Sequence, residues 1–392
     1  MPGVADLPLH TGRVPYWMLR YMERMAEAIA AAVIELHGVE GLIRGLSDPV
    51  WFQAFNNIIG MDWDSSGSTT VLLSVLKTVS WRRTDWGLLI LGGKGRHMRD
   101  VPEKARIAER RLGVPSQDIE RFSRAAARLD SSLLQDGYEL YIHSVIVTEK
   151  GPALVVQQGM DSRRGLARRY HLNKIEVEEP HSGIAGVPGV AINVLDKESR
   201  EARKTYLDIA SEGARRMLRM IREANRLLEG KPSLIDYMIH SSGWAGPPST
   251  LPASRRVGAK PYYRPIRIDR RLEEALKKLE RDPPLREEEL PFKEGVTPRV
   301  VRALALVADL LLSVPTSTKD PVTAPLNPFA YAYAVGGKDG VPYRYDPKTA
   351  ERVIATLEEA LELAKIGDRE RMKAILRLRK LLERGGVRWY PK

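Results

Sequence analysis

The sequence predicts an α+β fold that is predominantly helical and carries a small central antiparallel β-hairpin or sheet, and three observations lead there. From Tyr16 to Leu36 the apolar residues Met18, Met22, Met25, Ile29 and Val33 return at helical spacing on one face, and similar periods recur along the chain. Near the middle, a stretch from Tyr138 to Val156 rich in Tyr, Ile, Val and Leu is interrupted by Thr148-Glu149-Lys150-Gly151-Pro152, the signature of two strands joined by a tight turn. With 392 residues, the chain also exceeds the usual size of one hydrophobic core. The expected division is a helical region over 1–115, a central α/β region over 116–242, a linker over 243–265 rich in Pro, Ser and basic residues, and a helical region over 266–392.

Taken in order, the first helix is followed by Ser47-Asp48-Pro49, a helix start in which Pro suits the first turn, with Trp51, Phe52, Phe55 and Ile58 as its apolar face. Asp62-Trp63-Asp64-Ser65-Ser66-Gly67-Ser68-Thr69-Thr70 reads as a turn and N-cap for a helix ending near Thr78, because Asp, Ser and Thr side chains satisfy the first amides of a helix. Its alternative is a cluster of carboxylates and hydroxyls facing an active site. Leu88 to Leu91 is a short apolar run, and helices over about Pro102 to Leu112 and Ser116 to Leu134 lead into the hairpin. Beyond it, a Gly- and Pro-rich loop runs to Gly189 and Val190 to Leu195 forms a short buried segment. One long helix follows from Lys197 to Leu228, and its positive charge between Arg215 and Arg226 reads as a solvated face. Amphipathic helices over Pro347 to Ala364 and Arg369 to Leu382 close the chain.

Composition narrows the function. No apolar run is long enough to span a bilayer, and Leu7 to Arg13 is too short and polar for a signal peptide, so a soluble, cytoplasmic protein without a membrane partner is expected. Cysteine is absent, which excludes an iron–sulfur cluster and a thiolate zinc site and leaves carboxylates and the seven histidines as metal ligands. A catalytic metal would then be hard and oxygen-liganded, Mg or Mn. The formal charge of +12 points to a polyanionic partner, nucleic acid and foremost DNA. Abundant Arg, Pro and Glu also suit a heat-adapted protein.

Candidate site residues gather around the hairpin. Asp136, His143, Gln158, Arg169 and His171 are expected to converge on one pocket at its open end, with Asp130 and Asp136 as metal ligands. A turn centred on Glu149 to Gly151 places His143 opposite Gln157 or Gln158. The alternative is a hairpin whose polar residues cap turns and face water. Gly92-Gly93-Lys94-Gly95-Arg96-His97 has the glycines and cations to grip a phosphate through Lys94 and Arg96, although it does not fit the Walker A spacing. Gly336-Gly337-Lys338-Asp339-Gly340 echoes it, with Lys338 in the same role. The stretch Leu290 to Leu306 resembles a helix-hairpin-helix DNA-backbone motif. There Gly295, Val296 and Thr297 would form the hairpin, and Arg299 and Arg302 would add charge. Its plainer reading is an ordinary helix start with Pro298 in the first turn.

A set of motifs also occurs in order over nearly the whole chain: Leu7-Pro8-Leu9-His10, Leu46-Ser47-Asp48-Pro49-Val50-Trp51-Phe52-Gln53, Gly92-Gly93-Lys94-Gly95, Gln135-Asp136-Gly137-Tyr138, Gln157-Gln158-Gly159-Met160 and Ala167-Arg168-Arg169-Tyr170-His171. In these the chain is similar to the prokaryotic family called domain of unknown function 763, a name that carries no activity. Asp64 and Val335 stand where that pattern has histidines, Ile142 replaces the first of two histidines, and Thr297 replaces Gly. The residues themselves point to a DNA-binding protein of repair or recombination acting as a metal-dependent nuclease. Asp130 and Asp136 would hold the ion, His143 or His171 would move the proton, and Arg168 or Arg169 would offset phosphate charge. Gln157-Gln158 occupies the place of the Glu-X-Lys of a nuclease strand, and Gln reads base edges well, so a base-directed, glycosylase-like enzyme is the second reading. The third is a non-catalytic DNA- or RNA-binding assembly factor, with Tyr138, Tyr141 and Tyr170 stacking on unpaired bases.

Overall fold

The computed structural model of the chain describes residues 14–61, 66–229, 263–323 and 344–364. It is an α+β fold, mostly helical, around an antiparallel five-stranded sheet of order β1-β3-β4-β5-β6. The strands are β1 (Leu88–Lys94), β3 (Glu139–Thr148), β4 (Gly151–Asp161), β5 (Leu166–Leu172) and β6 (His181–Ala185). A smaller antiparallel sheet joins β2 (Leu134–Gln135), β7 (Val190–Asn193) and β8 (Ser317–Lys319). The hairpin turn falls at Glu149-Lys150 and sets His143 opposite Gln157, as the turn residues predict.

Helices cover both faces of the central sheet, which is why its strands read as near-continuous apolar runs. On one face lie α1 (Tyr16–Ser47), α2 (Pro49–Ile58) and α3 (Gly67–Arg82). Met18, Met22, Phe52, Phe55, Leu72 and Leu76 pack there against Leu88, Ile90, Ile142, Ile146, Leu154 and Val156. The methionine stripe of α1 is therefore core. On the other face lie α4 (Val101–Leu112), α5 (Ser116–Arg128), α6 (Arg200–Ser211), α7 (Ala214–Leu228), α8 (Arg270–Arg281) and α9 (Pro298–Leu312). Their apolar sides share one core with Leu89, Leu91, Val145, Val147, Val155, Tyr170 and Leu172. This core runs from Leu89 to Ala308, across the boundaries expected at 115 and 265, and residues 243–262 of the expected linker lie outside the described residues. The last described helix, α10 (Pro347–Ala364), lies on α1 through Ala350 and Ile354.

Glycine sets two helix boundaries. Within α1 the helix that starts at Tyr16 breaks at Gly38, whose φ of 70° and ψ of 177° are not helical, close to the expected end at Leu36, and a second helical stretch runs on to Ser47. The helix expected over Lys197 to Leu228 is broken at Gly213, φ 80°, where the Glu280 carboxylate accepts the Ala214 N–H at 3.2 Å and caps the start of α7. α5 likewise stops at Arg128, and a π turn over Leu129–Leu133 completes the approach to β2.

Each outer strand of the central sheet is covered by side chains. Along β1, Ser80 Oγ accepts the Ile90 N–H at 3.2 Å, Trp81 Nε1 donates to the Ile90 carbonyl at 2.9 Å, and Lys77 Nζ donates to the Gly92 carbonyl at 2.6 Å. Along β6, Thr323 accepts the Ile184 N–H on its hydroxyl at 2.9 Å and gives its own N–H to the Ile184 carbonyl at 3.1 Å.

Candidate functional site

Strand side chains alternate between the two faces of a sheet, and here the alternation divides the expected constellation. Asp136 and His143 fall on the α5 side, whereas Gln158, Arg169 and His171 fall on the α1–α3 side. The single pocket is thus replaced by polar networks buried on opposite faces of the sheet. The correction has a simple origin: Arg168-Arg169-Tyr170-His171 is a strand, so neighbours in sequence point apart.

On the α5 side a chain of hydrogen bonds ties helix to sheet. Ser123 Oγ lies 2.7 Å from His143 Nε2, His143 Nδ1 lies 2.8 Å from Gln157 Oε1, and Gln157 Nε2 donates to Asp130 Oδ2 at 2.5 Å. Asp130 Oδ1 completes the chain at 2.5 Å from His181 Nε2. The π turn after α5 is what carries Asp130 inward to meet these partners. Because Gln157 Oε1 accepts only, His143 carries its proton on Nδ1 and takes the Ser123 hydroxyl hydrogen on Nε2. Burial pushes the His143 pKa down, opposed by the bond to Gln157. The arrangement has the order of a nucleophile and its base, but Ser123 is itself buried and Gln157 takes up no proton.

Asp136 anchors a second cluster on this side. Its Oδ2 accepts from Arg168 Nη1 and from the Tyr170 hydroxyl, both at 2.7 Å, and its Oδ1 accepts the Tyr138 N–H at 3.1 Å. Arg168, with no exposed surface, reaches on to Asp320 at 3.0 and 2.7 Å and to the Val187 carbonyl at 2.6 Å. Burial pushes the Asp136 carboxyl up, while Arg168, the Tyr170 hydroxyl and the Tyr138 amide pull it back.

Across the sheet, Arg169 stacks on Phe52, 4.4 Å from ring centroid to guanidinium carbon, and donates to Gln53 Oε1, Thr69 Oγ1 and the Pro49 carbonyl at 3.2 to 3.4 Å. Its Nε donates to His171 Nε2 at 3.1 Å, and His171 Nδ1 gives its hydrogen to the Leu46 carbonyl at 2.8 Å. Burial, then the Arg169 charge, drive the His171 pKa well below the ordinary imidazole value and keep the ring neutral. Gln158 donates to the Ser66 carbonyl at 2.8 Å and to the Tyr141 hydroxyl.

Fully buried groups joined in this way fix helices to a sheet. The pair expected to hold Mg or Mn does not fit such an ion, because both oxygens of Asp130 and both of Asp136 already accept from protein donors. Among the described residues, no group of three or more His, Asp or Glu side chains is placed to bind a metal. Tyr138 and Tyr170 are likewise buried in the networks. Ser123 and Asp320, which complete the two networks on the α5 side, had no signal in the sequence: they lie 20 and 152 residues from His143 and Arg168.

The expected phosphate contacts have different fates. Gly295 packs against α8, Val296 is buried, and Thr297 is the N-cap of α9, its hydroxyl accepting the Val300 N–H at 3.3 Å. A 3-10 turn over Glu287–Phe292 precedes them, so the plainer reading of an ordinary helix start describes this segment. A Cβ at residue 295 would lie 2.5 Å from the Leu279 backbone nitrogen. Gly295→Ala is therefore expected to cost about 1–3 kcal/mol of stability, as overpacking does, measured by urea unfolding. Arg299 is held by Asp269 at 2.6 and 2.7 Å, and Arg302 donates from Nε to Gln135 at 3.0 Å. Together with Arg271 they line a surface recess of about 420 Å³ at the start of α9. Lys94 and Arg96 are exposed at the end of β1 and on the turn that follows. Lys338, Asp62 to Ser65 and the helix expected over Arg369 to Leu382 lie outside the described residues.

The charge run taken for a solvated face has a definite form. Arg215, Arg219, Arg222 and Arg226 are all exposed, and their spacing puts them in one stripe along α7, opposite the buried Met217, Ile221 and Ala224. None of the four forms an ion pair among the described residues, whereas Arg216, beside them, is paired with Glu212 at 2.7 Å. No helix of the described residues is long and apolar enough to cross a membrane.

No curated protein and no solved structure matches the chain. One family model does match, over residues 3–345. The chain belongs to the family described as protein of unknown function, DUF763.

Proposed function

We propose that this protein binds nucleic acid, DNA foremost, by its phosphate backbone, with a role in repair or recombination. The observation that carries the reading is the stripe of Arg215, Arg219, Arg222 and Arg226, exposed and without ion-pair partners among the described residues. At about 1.5 Å per residue the stripe runs about 16 Å along α7, long enough to meet several phosphates of a duplex. Guanidinium groups suit phosphate because their planar fork donates two hydrogen bonds at once. The recess at α9 adds to this cationic surface: burial lowers the Arg302 pKa, and the nearby charges of Arg264 and Arg299 lower it further, which an anion there would relieve.

A binding role is the form of the proposal that the geometry supports best. Phosphodiester hydrolysis through Asp130 and Asp136 would require both carboxylates to leave buried partners. The test is fluorescence anisotropy with labelled duplex, single-stranded and branched DNA across a salt series, with cleavage followed in parallel with and without Mg²⁺ or Mn²⁺. Affinity is expected to fall steeply with salt and to be similar for unrelated sequences. The Arg219→Gln, Arg222→Gln double variant should lower the salt slope by about 2, since each lost phosphate contact removes about 0.9. A slope equal to that of the unaltered protein would refute the assignment of α7.

A further inference from the structure

A cleft of about 540 Å³ opens between α3 and the end of β1, lined by none of the network side chains and by no residue of α7. Lys77, Lys94, Lys104 and His97 line it, and no carboxylate does among the described residues. The nearest acids are engaged at its margin, Asp100 with His97 at 2.7 Å and Glu103 with Lys104 at 3.6 Å. Three ammonium groups so placed repel one another unless an anion lies between them. Lys77 shows the strain: half-buried, it is pushed below the ordinary lysine range by loss of water and by Lys104, with Asp100 opposing. One of its hydrogens goes to the Gly92 carbonyl, and two remain for a ligand.

Thr70, in the same wall, has a buried hydroxyl without a hydrogen-bond partner. Buried hydroxyls are costly when unpaired, and this one can both donate to and accept from a ligand. Leu73, Ile142 and the Trp81 indole supply an apolar side to the cleft. Its volume falls within the roughly 300–1,000 Å³ of small-molecule sites and exceeds what a bare phosphate ion fills.

We propose that this cleft binds a phosphate monoester carrying a group of nucleoside size, the dianion held by Lys77, Lys94 and Lys104 and the organic part against Leu73, Ile142 and Trp81. A monoester is favoured over a diester because three lysines line the one cleft and offset a charge near −2. Such a group is carried by a free nucleotide and by the 5′-phosphorylated end of a nucleic-acid strand. The site is independent of the backbone contacts proposed for α7.

Titration calorimetry of the full chain tests it with deoxyadenosine 5′-monophosphate, deoxyadenosine, inorganic phosphate, and a short oligonucleotide with and without a 5′-phosphate. Saturable binding is expected for the monophosphate and not for deoxyadenosine. Lys94→Ala should weaken it about tenfold or more, and Thr70→Val by less, as the loss of a charged and of a neutral hydrogen bond would. Thermal midpoints should stay near that of the unaltered protein. Binding of the 5′-phosphorylated oligonucleotide alone would assign the site to strand ends, and binding of the nucleotide alone to free nucleotides. Absence of saturable binding by either phosphorylated probe, equal binding with and without the phosphate, or an unchanged affinity in Lys94→Ala would overturn the proposal. The Arg219→Gln, Arg222→Gln variant should keep its affinity for the monophosphate whatever happens to duplex binding, which separates failure of this site from failure of α7.

Discussion

Arg168→Ala is expected to remove about 3–5 kcal/mol of unfolding free energy at neutral pH, the cost of breaking a buried ion pair from one side. The substitution leaves Asp136 and Asp320 buried without their shared cation, and it also strips the Val187 carbonyl of its donor. Protonation of the stranded carboxyls relieves part of the cost, so the difference from the unaltered protein should shrink as pH falls. Urea unfolding of both proteins at about pH 7 and about pH 5 measures this. Asp136→Asn should cost less, since its one amide oxygen can still accept from Tyr170 and Arg168 in the place of Oδ2, only the Tyr138 N–H loses its acceptor, and Arg168 keeps Asp320. A metal ligand open to solvent would behave the other way, with stability retained and any metal-dependent activity lost. Near-neutral stability effects in both variants would argue against a structural role for Asp136.

The second large effect is on acid tolerance. His143 and His171 are buried and neutral, with pKa values below the ordinary 6.5, that of His171 well below it. Between the folded and unfolded values the unfolded chain binds a proton that the folded chain refuses. Stability is therefore full above about pH 6.5 and is lost as pH falls through that value. Each histidine contributes up to about 1.4 kcal/mol per pH unit, so a drop from about pH 7.5 to 5.5 should cost up to about 3 kcal/mol for the pair. The raised carboxyl of Asp136 has the opposite sign, favouring the fold as pH falls through a window above 3.8, and so offsets the loss at the acid end. Unfolding free energies should be level above about pH 6.5 and fall below it, and His143→Gln should flatten that fall. A level profile would mean that the two rings do not stay neutral in the folded protein.

How far the sequence could be read depended on how local the determining forces are. The turn at Glu149-Lys150 carries its own chemistry, and His143 opposite Gln157 followed from it. Asp48 as a cap and Pro49 in the first turn of α2 were legible for the same reason. β5 was not, because Arg168-Arg169-Tyr170-His171 lacks the apolar alternation by which strands are recognised, both faces of it being polar. In the fold it is a strand whose charges are satisfied by Asp136 and Asp320 on one side and by α2 and α3 on the other. No pattern in sequence could have shown Asp320, which arrives from the far side of α9. The stripe on α7 was visible as charge, but only the absence of partners among the described residues distinguishes it from an ordinary wet face.

The covered strands β1 and β6 bear on how the molecule behaves in a crowd of its own kind. An outer strand normally presents a row of amides and carbonyls on which another chain can pair, and this is the usual route to edge-to-edge aggregation. At Ile90 and Gly92 that row is occupied by Ser80, Trp81 and Lys77, and at Ile184 by Thr323. A strand from a second copy would have to displace all of these before it could form a ladder. α3 thus guards a sheet rich in Val, Ile and Leu against templated growth, at the cost of holding a lysine half out of water.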